Sequence, residues 1–341
     1  MTKHNVIALD LAKLVIQIAK VSKHGELLFN KAQSPDKVRE ILANTAPSVV
    51  AFEGCGSAHY WGRLAQQYGH TACMMSPRKV KPYIGGQKND ANDAIGIAVA
   101  ARQLHMTFSP IKTLEQQTIQ SINTSRRFLD KTLTALNNHI RGILYEYGFT
   151  IPKGAKGLRV KITEWLGQEN VALPDVIKTL IKSMWLQYTQ TQMQLKEVNQ
   201  QLEGLTQALE PCQRLQAIEG IGPKSACLLY AAIGNGQGFK NGRDAAVYAG
   251  VTPRQHSSGG KTVLLGITKQ GDTTLRSTLF QGALSVIVRL KSDPVTEKQQ
   301  WLLQLVKRVG TKRACIALVN KNIRTAWAML KHNSEYQPVY L

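Results

Sequence analysis

The sequence has few acidic side chains for its size. Its 341 residues contain 22 Asp and Glu against 43 Lys and Arg, so the formal net charge is +21. A basic surplus of this size indicates a polyanionic partner, which is either nucleic acid or an anionic membrane surface. The apolar runs fall short of the roughly 20 residues that a membrane span needs. The first residues, Met1 to Asn5, lead directly into a strand-like run, so we expect no secretory signal. We therefore expect a cytoplasmic, nucleoid-associated protein that acts on nucleic acid and not on membranes.

Cysteine is also scarce. The five cysteines are scattered, odd in number and without Cys-x-x-Cys spacing: Cys55, Cys73, Cys212, Cys227 and Cys315. This distribution argues against a zinc site and against a disulfide framework. We expect reduced structural thiols.

The chain divides into three segments by pattern. Residues 1–110 alternate strand and helix signals, with strands over 5–10, 14–21, 26–29, 48–53 and 70–75 and helices over 34–45, 57–68 and 90–103. Three strands in succession followed by alternating helices and strands predict a mixed sheet flanked by helices. Residues 210–341 form a mostly helical segment with 18 basic and 7 acidic residues, which makes it the main candidate for nucleic-acid contact. The predicted fold class is α/β plus α.

The middle segment, residues 111–209, carries two long runs of apolar residues spaced by three and four. The second run is Ile177, Ile181, Met184, Tyr188, Thr191, Leu195, Val198, Leu202, Leu205 and Leu209; the first is Ile119, Ile122, Arg126, Leu129, Leu133, Leu136, Ile140, Ile143 and Tyr147. Sustained spacing of this kind predicts coiled-coil packing. The pattern fits an internal helical hairpin and an oligomerisation arm equally well.

Four carboxylates stand out in the first segment. Asp10 and Glu53 each end an apolar strand, and Asp90 and Asp93 lie on one side of the first turn of a predicted helix. Each alone fits an ordinary strand end, N-cap or first helical turn. Together, on a strand–strand–strand–helix–strand pattern, they favour a ribonuclease-H-like core. Such a set can hold two Mg²⁺ ions about 4 Å apart for phosphoryl transfer.

Two glycine-rich motifs mark the third segment. Residues 215–226 resemble a helix-hairpin-helix element, in which Gly220 and Gly222 permit a tight turn close to a DNA phosphate and Lys224 follows in the next helix. A plain helix–turn–helix connection is the alternative. Further along, we expect residues 257–260, Ser-Ser-Gly-Gly, to form a polar, mobile loop. Basic residues flank it, namely Arg254, Lys261, Lys269 and Arg276. From chemistry alone, Ser258 is either a loop serine or a nucleophile with His256 as a local base.

At these residues the chain resembles the DEDD transposases of the insertion-sequence "one-ten" family, with its "eleven-eleven" subgroup and the Piv-type DNA invertases. Asp10, Glu53 and the Asp90-x-x-Asp93 pair match the four acidic residues that name the family. Four further segments match its C-terminal domain in order, at residues 219–222, 249–253, 258–259 and 268–276. The resemblance covers nearly the whole chain.

The resemblance implies a RuvC-like N-terminal domain, a coiled-coil middle and a C-terminal domain with a serine nucleophile, which matching places at Ser258 beside Ser257. It also implies a tetramer, as a dimer of dimers, and a noncoding bridge RNA that pairs with donor and target DNA.

Our sequence-based hypothesis is therefore a Mg²⁺-dependent transposase and site-specific recombinase. One alternative is a junction-type endonuclease that uses water in place of Ser258. The other is an architectural DNA-binding protein without enzymatic activity.

Overall fold

The computed structural model describes residues 4–87, 89–152, 154–166, 172–290 and 292–341. Its internal contacts group the chain into two compact units. The first unit comprises Met1–Gln116 and Ile233–Asn241, and the second comprises Gln117–Ala232 and Gly242–Leu341. Within the described ranges, no helix combines the length and the apolar content that crossing a bilayer requires.

A five-stranded mixed sheet forms the centre of the first unit. The strands are β1 (Val6–Leu11), β2 (Ile16–Val21), β3 (Leu27–Gln33), β4 (Val49–Glu53) and β5 (Thr71–Met75). They lie in the order β3-β2-β1-β4-β5, with β1, β2 and β3 antiparallel and with β4 parallel to both β1 and β5. The predicted mixed sheet is confirmed.

Helices cover both faces of this sheet. They are α1 (Pro35–Ala43), α2 (Ala58–Gln67), α3 (Pro77–Val80) and α4 (Asp90–Ala101), with a 3-10 turn over Lys81–Tyr83. Alternation along the strands separates two cores. Ile7 and Leu9 of β1 pack in the core that includes residues of α1 and α2, whereas Val6 and Ala8 pack in the core that includes α4. The face that carries α4 is therefore fixed by the sequence of β1.

The second unit begins with long helices. They are α5 (Leu114–Glu146), whose first residues belong to the first unit, α6 (Ala155–Leu166) and α7 (Asp175–Ala208). Every predicted seam residue from Ile177 to Leu209 is buried or half-buried. In the first run only Tyr147, just beyond the end of α5, is exposed. Ile140, Leu158 and Ile181 share one apolar cluster, so the end of α5, α6 and the start of α7 pack together within one chain.

The rest of the second unit is mostly helical, as predicted. Its helices are α8 (Glu210–Leu215), α9 (Pro223–Ile233), α10 (Gly242–Tyr248), α11 (Thr273–Arg289), α12 (Glu297–Val309) and α13 (Thr311–His332). The buried face of α13 includes Ala314, Leu318 and Ile323, and α10, α11 and α12 pack against this helix.

The expectation of a mobile loop over residues 257–260 is wrong. The segment forms a β-hairpin of β6 (Pro253–Ser258) and β7 (Lys261–Ile267). Gly259 and Gly260 have φ angles of 55° and 77°. Two successive residues with positive φ make the tight turn that matches the twist of paired strands, and glycine adopts this conformation without strain.

Candidate active site

Asp10 and Glu53 lie at neighbouring strand ends and on the same face of the sheet. The last registered pair between the parallel strands β1 and β4 is Leu9 with Phe52, so Asp10 and Glu53 are the next residues along each strand. Side chains alternate, which places Asp10 with Ala8 and Glu53 with Ala51. Ala8 and Ala51 belong to the core under α4, so both carboxylates lie on the α4 side.

Helix α4 brings the other two carboxylates to that face. Its N-cap is Asn89, whose side chain accepts a hydrogen bond of 2.8 Å from the Asn92 backbone N–H. Asp90 and Asp93 therefore occupy the first turn, where the helix dipole favours negative charge. Small residues, including Ala94 and Ala98 of α4 and Ala8, Ala19 and Ala51 of the sheet, form part of the core between them. Larger side chains such as Ile97 and Met75 fill the rest of this core.

The electrostatics of Asp10 and Glu53 reflect the charges of the neighbouring carboxylates. The pKa of Asp10 is raised, mainly by burial and then by the charges of Asp93 and Asp90. The pKa of Glu53 is also raised, mainly by burial and then by Asp10 and Asp93. Across the described residues, none of these four carboxylates forms an ion pair with Lys or Arg. The cluster therefore holds negative charge that no ion pair among the described residues compensates.

A divalent cation fits this donor set by its chemistry. All four side chains offer carboxylate oxygen, which Mg²⁺ prefers. In the part of the chain that the structure describes, no three His, Cys, Asp or Glu side chains stand close enough together to hold one ion. Binding therefore requires these side chains to move together, and a cation supplies the attraction that four like charges lack.

A polar network that sequence analysis missed fixes the start of α4. Gln17 lies opposite Asp10 on β2, and its Nε2 donates to Asn30 Oδ1 of β3 at 2.7 Å. Asn30 Nδ2 in turn donates to the Ala91 carbonyl at 2.9 Å. This chain links two strands to the first turn of α4. Gln17 and Asn30 therefore hold the first turn of α4, which carries Asp90 and Asp93.

The β6–β7 hairpin distinguishes the two adjacent serines. Ser258 pairs with Lys261 and His256 with Val263 across the strands, so these side chains share one face. Ser257 lies on the opposite face, and its hydroxyl accepts a hydrogen bond of 2.8 Å from Gln255 Nε2. Every residue of β6 is exposed. Ser258 is thus accessible and has a cation beside it, whereas the hydroxyl of Ser257 is already engaged.

The turn around Gly220 is packed inside the second unit. A Cβ on Gly282 of α11 would lie 2.0 Å from the Gly220 carbonyl oxygen, so neither position has room for a larger residue beside the other backbone. Glu219 supports the turn, since its carbonyl accepts from Asn322 Nδ2 at 2.9 Å and its carboxylate from Gln299 Nε2 at 2.7 Å. These partners lie 80 or more residues away, beyond the reach of motif analysis.

Beside this turn, Gly222 is exposed and lines a cleft of about 770 Å³ together with Ser285 and Arg289 of α11. Lys224, in the first turn of α9, is half-buried, and burial followed by the charge of Arg126 lowers its pKa.

The other predicted nucleic-acid contacts lie on or near the hairpin. Arg254 and Lys261 are exposed on its strands. Lys269, just after β7, has a φ of 54°, which is an uncommon backbone conformation for a residue with a side chain. Arg276 donates to the Ala249 carbonyl at 3.2 Å, so part of its guanidinium fixes α11 to the preceding segment.

The sheet order and the four carboxylates at one sheet edge are consistent with an RNase H-like enzyme of phosphoryl transfer. Family comparison agrees. Residues 7–149 match the DEDD transposase model of IS110, and residues 212–299 match the model "Transposase IS116/IS110/IS902 family".

Individual relatives extend the match over nearly the whole chain. The chain is 36% identical to the "Transposase for insertion sequence element IS1111A" of Coxiella burnetii, over 97% of this chain and 91% of that protein. It is 32% identical to the "Transposase for insertion sequence element IS1328" of Yersinia enterocolitica, over 95% and 96% respectively. A shorter match, 33% identical over 36% of the chain and 37% of the relative, is to the "Pilin gene-inverting protein" of Moraxella bovis.

The chain belongs to the IS110 family of transposases. It is an enzyme of DNA transposition, so it binds DNA and transfers phosphoryl groups on it. Its DEDD-type catalytic domain implies a divalent metal ion.

Proposed function

We propose that this transposase cleaves and exchanges DNA strands at a two-part active site. Asp10, Glu53, Asp90 and Asp93 hold Mg²⁺, as two ions, and Ser258 forms a covalent link to DNA. The observation that carries the proposal is the placement of four carboxylates, from β1, β4 and α4, on one face of the sheet, without an ion pair to Lys or Arg among the described residues.

The carboxylates prepare the scissile phosphate for attack. When bound, Mg²⁺ neutralises charge on the phosphate oxygens and stabilises the charge that develops in the transition state. Asp10 and Glu53 extend from a rigid sheet, whereas Asp90 and Asp93 are fixed through α4 and the Asn30 hydrogen bond to Ala91. These anchors fix the backbone positions from which the ligands extend, so metal binding has to reposition only the side chains.

Ser258 supplies the nucleophile. Its hydroxyl oxygen forms a bond to phosphorus while the bond from phosphorus to one sugar oxygen breaks, and the hydroxyl proton passes to a base. His256 shares the hairpin face and is the candidate base. Lys261, opposite Ser258, stabilises the anionic phosphate. The number of phosphate ester bonds is unchanged, so a new sugar hydroxyl can reverse the step and join a different strand.

The basic second unit holds the DNA backbone. The contacts we propose are Gly220, Gly222, Lys224, Arg254, Lys261, Lys269 and Arg276. The exposed turn residue Gly222 beside the cleft lined by Arg289 supports backbone contact there, in keeping with a helix-hairpin-helix-like element. Exposed cations on the hairpin support phosphate contact next to Ser258.

The proposal extends to the domains and the oligomeric state of the protein. Residues 1–110 form a RuvC-like catalytic domain, residues 111–209 a coiled-coil arm and residues 210–341 the serine domain of a cytoplasmic, nucleoid-associated tetramer. The burial of the α7 seam within one chain supports an internal hairpin, and exposed apolar residues such as Phe128 and Met193 leave surface for a second chain. A noncoding bridge RNA pairs with donor and target double-stranded DNA.

A suicide DNA substrate tests the chemistry. A nicked duplex that loses its leaving strand traps any protein–DNA link, which denaturing electrophoresis then detects. We expect a Mg²⁺-dependent adduct with the wild type and with Ser257→Ala, and none with Ser258→Ala. The neighbouring serine is the matched control, because it is the same residue type on the other face of the same strand.

The other outcomes identify the alternatives. Cleavage without an adduct would favour a junction-type endonuclease that uses water. The absence of Mg²⁺-dependent cleavage from a protein that binds DNA would favour an architectural role. An adduct lost in Ser257→Ala alone would move the nucleophile by one residue.

A further inference from the structure

The last two long helices carry an unbroken surplus of positive charge. Residues 298–334 contain eight Lys and Arg and no Asp or Glu. These residues make up nearly all of α12 and all of α13, which pack against each other. None of these cations is among the nucleic-acid contacts assigned above. The surplus therefore needs its own explanation.

Half of these charges meet at the corner between the two helices. Lys307 and Arg308 lie in the last turn of α12, and Lys312 and Arg313 lie in the first turn of α13, on either side of Gly310. All four are exposed. Within the described residues, none of their side chains forms an ion pair or a hydrogen bond. We call these four residues the basic corner.

The placement of Lys312 and Arg313 opposes the electrostatics of their helix. Cations stabilise the last turn of a helix and destabilise the first, where the peptide dipoles already present positive charge. The first turn of α13 contains no acidic residue, and Gly310 provides no capping side chain. A pair of cations at this end therefore lowers the stability of the isolated protein. An anion that binds there would reverse this cost.

A groove extends from the corner along α12. Arg308 lines a cavity of about 330 Å³ with Trp301, Gln304 and Leu305. Lys321 of α13 lies at the Trp301 end, with its Nζ 4.6 Å from the centroid of the indole ring. Trp301 and Arg308 are seven residues apart, which is roughly 10 Å along a helix. Cations at both ends of such a span can contact successive phosphates of one strand.

We propose that the basic corner, extended by Lys321, binds the phosphodiester backbone of nucleic acid. This inference rests on the proposed function, because it assumes a nucleic-acid substrate. It adds a second contact surface, on α12 and α13, to the one around the hairpin. The ligand chemistry is a run of phosphates, which either duplex DNA or a structured RNA presents.

Equilibrium binding in the absence of Mg²⁺ tests the surface without cleavage. The variant is Lys312→Gln with Arg313→Gln, and the matched control is Lys182→Gln with Lys196→Gln, which removes two exposed charges from α7. Each protein is titrated with a DNA duplex and, separately, with an RNA hairpin over a range of salt concentrations. We expect the corner variant to lose about two units of salt slope and roughly tenfold to a hundredfold in affinity, and the control to match the wild type.

Thermal melting separates lost contacts from lost folding. Because the two cations are unfavourable in their helix, the corner variant should melt at the wild-type temperature or above it. A loss confined to one polymer supports the proposal and identifies the source of the phosphates, and a loss on both supports a shared surface. Wild-type affinity and salt slope on both polymers would overturn it. Failure of the wild type to bind either polymer would instead contradict the proposed function.

Discussion

The two parts of the candidate active site differ in how the fold holds them. The carboxylates extend from two strands of the central sheet and from a helix that packs on it through a buried apolar core, and the Asn30 hydrogen bond to Ala91 also holds the start of this helix. Ser258 lies on a two-stranded hairpin whose first strand is exposed throughout. One part is built into a core, and the other is presented at a surface.

Under the proposed function, this difference corresponds to a division of labour. The proposed metal ligands extend from elements anchored in a core, so ion binding has to reposition only their side chains. The proposed nucleophile lies on an exposed hairpin, where DNA can reach it and leave it.

Replacing one carboxylate is the strongest test of the proposed metal site. Asp90→Asn should reduce strand exchange by roughly a thousandfold or more, because several kcal/mol of transition-state stabilisation depend on the bound ions. DNA binding should remain near the wild-type level, since the basic surface is unchanged. Asp10→Asn, Glu53→Gln and Asp93→Asn should behave alike. A recombination assay beside a binding titration makes the comparison, and full activity of Asp90→Asn would refute the metal assignment.

Mixing two inactive proteins tests whether the metal site and Ser258 of one active site come from different chains. We expect Asp90→Asn and Ser258→Ala proteins to regain partial activity together, because some mixed oligomers then pair an intact metal site with an intact serine. Each predicted long helix of roughly 30 to 35 residues spans about 50 Å, which lets an arm present Ser258 to a partner. Adduct formation in oligomers verified as mixed is the measurement. No adduct in such oligomers would show that each chain completes its own site.

The hydrogen bonds of Asn30 test how much the fixed position of α4 contributes to Mg²⁺ binding by the carboxylates. Asn30→Ala removes the donor to the Ala91 carbonyl and the acceptor for Gln17. We expect the Mg²⁺ concentration needed for half-maximal cleavage to rise roughly tenfold to a hundredfold, with the rate recovering at high Mg²⁺. Gln33→Ala, on the same strand, is the control and should leave this concentration unchanged. An Asn30→Ala rate that stays low at saturating Mg²⁺ would point to a different role.

The smallest expected effect is on stability. The raised pKa values of Asp10 and Glu53 mean that the folded protein holds protons that the unfolded chain has released. The metal-free protein should therefore lose stability as pH rises from about 4 through the raised values. Mg²⁺ competes with those protons, so it should stabilise more at pH 7.5 than at pH 5.

At a concentration of about 100 times its dissociation constant, Mg²⁺ would contribute about 2.7 kcal/mol, or roughly 4 °C in the melting temperature of a chain of this length. Differential scanning calorimetry measures this gain. The double variant Asp10→Asn with Glu53→Gln should lack it, and an equal gain in that variant would place the ion elsewhere.

Sequence patterns predicted the two strands and the helix that carry the four carboxylates. Alternation along β1 and β4 fixes which face Asp10 and Glu53 share, and Asn89 before Asp90 marks where α4 begins. These are local rules that act over a few residues. They could not predict the Asn30 bond to Ala91 or the packing of Gly220 on Gly282, because each joins positions 61 or more residues apart.

The β6–β7 hairpin shows a different limit of prediction from sequence. The polar run from Arg254 to Ser258 has no alternating apolar residues, so it resembled a loop. The signal that could have found it is the Gly259–Gly260 pair before Thr262–Leu265, since two glycines before a strand-forming run favour a two-residue turn.

The packing of Ala94 and Ala98 against the sheet affects how mutations can inactivate a transposase gene. A valine at Ala94 or Ala98 would insert methyl groups between the helix and the sheet, and a packed core yields to extra volume by shifting its backbone. Such a shift would carry Asp90 and Asp93 away from Asp10 and Glu53. A copy of the element could therefore keep all four carboxylates in its reading frame and still encode an inert protein. Whether a copy encodes an active transposase therefore depends on Ala94 and Ala98 as well as on the four carboxylates.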